Sequence, residues 1–255
     1  MTYCLGISVR EGLVFLSDSR TNAGADNINT YSKMHVFRHE RRFVVLLTSG
    51  NLATTQGVLS RIERDLRDRS HHSLWSMTSL DSAAEYIGGI SAEEQNKHAS
   101  NRAETDFQPA ASFILGGQIS PEEPKLLQIY PEGNFIRASE TMPFLQIGEV
   151  KYGMSILDRI VDDKTNLRSA VMCGLVSMDS TMRSNVTVGP PIEYLIYLRD
   201  SYQDALHRSL AEDDDYLIEL RRTWALNLRY AFDMLSEAPG LNDIQPKSNI
   251  DIVRR

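Results

Sequence analysis

The chain has 255 residues, 42% of them hydrophobic and 24% charged, which suits a folded domain and excludes a collagen-like, low-complexity or repeat-array chain. A formal net charge of −7 argues against a general nucleic-acid binder, and the start MTYCLGISVR has neither the basic lead nor the apolar stretch of a secretory signal. The densest apolar run, 43–50, is too short to span a bilayer, and Cys4 and Cys173 lie far apart without metal-ligand spacing, so a cytoplasmic protein with free thiols is expected.

In chain order, 2–9 and 13–18 alternate as strands joined by a tight Glu11-Gly12 turn. A polar connection rich in Asn and Gly follows, and strands return at 33–37 and 43–49, where Gly50-Asn51 punctuates the chain. Apolar residues at Leu52, Val58, Leu59, Ile62 and Leu66 predict a helix over 52–69, and a second helix is expected over 81–99 with Asp81 as its N-cap. Strands are expected at 112–119, 125–130, 134–139 and 144–148, with Gly116-Gly117 marking a bulge.

Two helices should cover 149–162 and 165–178, followed by strands at 185–189 and 192–198. A last helix over 212–236 carries an apolar stripe from Leu217 through Leu220, Trp224, Leu228 and Ala231 to Leu235, read as core in preference to a subunit contact. Strand runs alternating with helix runs favour an α+β layering over a parallel βαβ sheet. No Pro-, Gly- or Ser-rich linker divides the chain, so a single domain over 1–255 is expected, with about 210–255 as a C-terminal helical extension.

The chemistry concentrates at the start. A threonine hydroxyl needs a neighbouring base, and a terminal threonine carries one in its own α-amino group, with an ordinary pKa of roughly 8. Thr2 becomes terminal when Met1 is trimmed, and no longer leader is expected to be required. Met-Thr alone is a common beginning and says little. Asp18, at the end of the second strand, and Lys33, at the start of the third, can both return beside Thr2. A lysine there supplies a fixed positive charge, and an aspartate paired with it keeps it oriented.

These residues resemble the active β-subunits of the proteasome and the related bacterial ring peptidases, which belong to the N-terminal nucleophile hydrolases. Asp18 follows Thr2 at the family spacing, Lys33 falls one residue short of it, and DSRT at 18–21 and LLTSGN at 46–51 match family segments. The resemblance implies a four-layer αββα sandwich of two antiparallel sheets flanked by helix pairs. It makes Thr2 the nucleophile, gives Asp18 and Lys33 their electrostatic roles, and makes the Gly50 N–H the oxyanion donor. The segment at Asn22 and the Gly50 strand would bind the peptide.

Within the family, the start, the length and the C-terminal extension are most similar to the Anbu group, the bacterial ancestral β-subunits. Later positions transfer less directly. Gly148-Glu149 stands where the family has Gly-Ser, and Asp179 and Ser184 stand where it has a supporting Asp and Ser, with stretched spacing. The resemblance implies a homo-oligomeric ring or open spiral acting on peptides, without metal or organic cofactor, and allows an ATP-dependent partner. Two other readings stay open: a specialised amidase or transferase acting on a small amide, and a silent self-assembling scaffold.

Overall fold

The computed structural model describes residues 1–22, 28–100, 108–162 and 164–239, without the side chains of 22, 28 and 98–100. Its first sheet places five antiparallel strands in the order β10 (Phe144–Gly148), β1 (Tyr3–Val9), β2 (Gly12–Asp18), β11 (Ile192–Leu198) and β12 (Asp204–Leu210). The second runs β5 (Met34–His39), β6 (Arg42–Gly50), β7 (Ala111–Ile119), β8 (Lys125–Ile129) and β9 (Phe135–Arg137). Between β2 and β5 the polar connection forms a small hairpin of β3 (Arg20–Asn22) and β4 (Ile28–Thr30).

Strand alternation sorts the core into three layers. On β1, Tyr3, Leu5 and Ile7 face the helices α3 (Lys151–Ile160) and α4 (Leu167–Ser184), while Cys4 turns to the other sheet. On β6, Val44 and Leu46 face α1 (Leu52–Arg67) and α2 (Leu80–Ser100), while Phe43, Val45 and Leu47 point between the sheets. The layers are therefore helix pair, sheet, sheet, helix pair. Phe43 and Tyr197 stack across the sheet–sheet gap with ring centroids 4.7 Å apart. A Cβ on Gly116 would fall 2.6 Å from the Phe15 ring, so this glycine gives that ring its place.

Five local expectations are corrected. The ladder through Gly116 and Gly117 keeps its register against both neighbours, so there is no bulge. Helix α2 is capped by Ser79, whose hydroxyl takes the Ser82 N–H, and Asp81 instead bonds Lys125 and Arg137. No strand forms at 185–189, and α4 runs on to Ser184. Strand β12 went unforeseen because DALHRSL, on a sheet edge, has little apolar alternation. The stripe on α5 (Asp215–Asp233) is mostly not core: Leu217 is buried and Leu220 packs against the core layer under α3 and α4, but Leu228 is 50% and Leu235, just beyond the helix, 68% exposed. Residues 240–255 of the expected extension lie outside the described residues.

Candidate active site

The β1–β2 hairpin pairs Cys4 with Ser17, which sets Tyr3 beside Asp18. The Tyr3 N–H donates to Asp18 Oδ1 at 2.9 Å, and the Gly189 N–H donates to Oδ2 at 3.3 Å. Lys33 enters from the turn before β5; its Nζ lies 2.6 Å from Asp18 Oδ1 and 2.8 Å from the carbonyl oxygen of Arg20. Asp18 is 0% and Lys33 4% exposed. Burial pushes the Asp18 carboxyl above its usual range, while the Lys33 ammonium and the two N–H groups pull it back. All three donors are satisfied by the ionised carboxylate, and an unpaired charge at this depth would cost several kcal/mol.

Lys33 also lines a small cleft whose other walls are Thr2, Thr21, Tyr31, Thr48, Ser49, Gly50, Leu52 and Thr55. Thr2, Lys33 and Gly50 thus share one space. Gly50 closes β6 at φ 109°, and a Cβ there would sit 2.3 Å from the Ala110 carbonyl oxygen. The Asn51 N–H donates to Ala110 and the Thr48 N–H to Lys33. Antiparallel alternation therefore turns the Gly50 N–H to the Thr48 side, beyond the end of the β5–β6 ladder at Met34–Leu47, towards the cleft. Asn51 caps α1 by accepting the Thr54 N–H, so the helix starts just past this amide.

Gly148 packs against the other side of Thr2. At φ 86° it packs so tightly that a Cβ would lie 2.0 Å from the Thr2 carbonyl oxygen. That oxygen accepts the Glu149 N–H at 2.7 Å. The Glu149 carboxylate is buried and takes an Asn185 Nδ2–H at 3.0 Å. The terminal amine, carried here by Met1, is held below its ordinary pKa of 8.0, first by burial and then by Lys33; Asp18 and Glu149 oppose that shift.

Asp179 and Ser184 do not join this cleft. Both lie on α4 beside α5, where Asp179 Oδ1 accepts the Arg221 Nε–H at 2.8 Å and Ser184 is exposed. Asn22 ends β3, and its side chain lies outside the described structure. Ser49, Asn185 and Gly189 belong to the surroundings of the site yet were passed over in the sequence. Ser49 followed from its position beside Gly50, whereas the other two required the path of the chain after α4.

The proteasome subunit family matches residues 2–196. The chain belongs to the proteasome subunit family, in its Anbu group. Among solved structures, Anbu from Yersinia bercovieri is 39% identical, with a TM-score of 0.87 over 92% of this chain and 98% of that one. A Gly-1 mutant of Anbu from Hyphomicrobium sp. strain MC1 is 40% identical, with a TM-score of 0.87 over 93% and 99%. The Anbu complex from Pseudomonas aeruginosa, described as a helical assembly, is 41% identical, with a TM-score of 0.88 over 93% and 98%. A search of the curated proteins gives no match. The helix–sheet–sheet–helix layering is that of the N-terminal nucleophile hydrolases, as its family membership requires. Among the described residues no helix is long and apolar enough to cross a membrane.

Proposed function

We propose that this family member is a threonine-type peptidase whose nucleophile is Thr2, freed by removal of Met1. The observation that carries this reading is the cleft shared by Thr2, Gly50 and a buried Lys33 held by Asp18. The Thr2 α-amine takes the proton from Oγ as Oγ attacks the peptide carbonyl carbon. The Gly50 N–H donates to the oxyanion. Collapse breaks the C–N bond, the departing amine takes the proton from the α-ammonium, and an ester to Thr2 remains. Water, deprotonated by the same amine, then attacks the ester and releases the acid with Oγ reprotonated.

Lys33 favours this sequence in two ways. Its charge stabilises negative charge forming on Thr2 Oγ, and, as it does for the amine carried by Met1, it disfavours the protonated form of an amine placed at Thr2. An extended substrate would add as a strand between β3 and the Gly50 end of β6. Self-association is supported by the Pseudomonas relative and by the apolar outer side of α5, including Tyr230 and Phe232, 69% and 71% exposed.

Thr2→Ala, which still leaves a small residue to follow Met1, should abolish hydrolysis of fluorogenic peptides while assembly size stays unchanged. A peptide epoxyketone should form an adduct that maps to Thr2 in the parent chain and to no residue of the variant. Turnover retained by Thr2→Ala would overturn the reading.

A further inference from the structure

We propose that Glu193 is a positioning residue for the reactive centre: its carboxylate ties the chain leaving Asp18 to the chain arriving at Lys33, through the hydroxyls of Ser19 and Ser32. The inference rests on the Thr2 reading above.

Glu193 sits on β11 between Ile192 and Tyr194, which pack toward α3 and α4, so alternation turns its side chain toward the second sheet. There it meets two serines from separate segments. Ser19, directly after Asp18, donates its hydroxyl to Oε1 at 3.3 Å, and Ser32, directly before Lys33, donates to Oε2 at 3.0 Å. The Ser32 hydroxyl in turn accepts the Met34 N–H at 3.3 Å, and the Tyr31 N–H donates to the Ser19 carbonyl oxygen at 2.8 Å. His207, across the β11–β12 ladder, places Nε2 3.7 Å from Oε2.

A carboxylate with 15% of its side chain exposed pays a desolvation cost that an apolar residue would not. Two oxygens facing two different serines explain its presence. Burial works against the charge, yet the nearby His207 imidazole and the hydrogen bonds from Ser32 and Ser19 hold the Glu193 carboxyl below its usual range. The consequence falls on Lys33. Its ammonium must reach both Asp18 and the Arg20 carbonyl oxygen, one residue to each side of Ser19, so slack between the two segments changes where the charge stands relative to Thr2. Glu193 itself does not line the cleft.

The test compares the parent chain with Glu193→Ala and Glu193→Gln, counting active sites by epoxyketone titration. Loss of the brace in Glu193→Ala should lower kcat per titrated site by a factor on the order of 10–100, with KM within about twofold. Amide hydrogen exchange at Tyr31–Met34 should accelerate about tenfold or more, while β7 and β8 exchange as before. Glu193→Gln keeps one acceptor oxygen and should fall between, and it carries the same measurements if the alanine variant fails to fold. Unchanged exchange at Tyr31–Met34 overturns the brace, and unchanged kcat per site in a variant with lowered Tm reduces Glu193 to a stabilising residue. If Thr2→Ala keeps turnover, the functional reading fails first, and the exchange measurement still judges the brace alone.

Discussion

Two of the ion-paired aspartates, Asp18 and Asp179, hold their cations at almost the same distance but in different surroundings. Asp18 and Lys33 meet at 2.6 Å with side chains 0% and 5% exposed; Asp179 and Arg221 meet at 2.8 Å with side chains 6% and 45% exposed. In the first pair the cation is as deeply buried as the anion and borders the cleft that holds Thr2. In the second it comes from the outer helix α5 and stands half in solvent. Burial of the cation therefore separates a charge held beside Thr2 from one that fastens a helix. Water screens Arg221, whereas around Lys33 few dipoles can dissipate its field.

The sharpest way to break this contrast is to remove each cation. Lys33→Met keeps the aliphatic stem but leaves the Asp18 carboxylate buried without its partner, so unfolding free energy should fall by about 3–5 kcal/mol. Peptide turnover should drop on the order of 10³-fold, as for loss of a main electrostatic contributor to the transition state. Arg221→Ala should cost about 1–2 kcal/mol in denaturant titrations, with turnover per active site unchanged. A comparable loss of turnover in both variants would erase the distinction.

A smaller effect sharpens the electrostatics around Thr2. If the Thr2 amine is the base, kcat/KM should rise with pH through an inflection below 8, because Lys33, which lowers the pKa of the amine carried by Met1, lines the same cleft as Thr2. Glu149 favours the ammonium carried by Met1, and Glu149→Gln removes that negative charge from beside Thr2. The inflection should therefore move to lower pH, by a fraction of a unit, in pH–rate profiles. Movement to higher pH would show that Glu149 acts on Thr2 by another route.

The positions of Thr2, Asp18, Lys33 and Gly50 were readable because all four lie at or next to strand ends. Thr2 and Asp18 sit at the two open ends of one hairpin, and Lys33 and Gly50 at the ends of another, so hairpin register alone brings each pair to one edge. The layers were readable too, since alternation and helical periodicity both show in the apolar pattern. Asp179 and Ser184 belong to a region where pattern misleads. The segment NVTVG has strand-like residues, yet it turns beneath the site, where Asn185 accepts the Thr187 N–H and Gly189 reaches Asp18. Its conformation is set by those side-chain and backbone partners, not by propensity. The α5 stripe misled for another reason: periodicity identifies an apolar face but not what covers it.

The central claim is that the free amine of Thr2 is the base, and intact-mass spectrometry paired with turnover tests it most directly. Preparations of the natively produced protein differing in the fraction of chains that begin at Thr2 should hydrolyse peptide in proportion to that fraction, with a zero intercept. Chains that keep Met1 quantitatively and still hydrolyse peptide would contradict it.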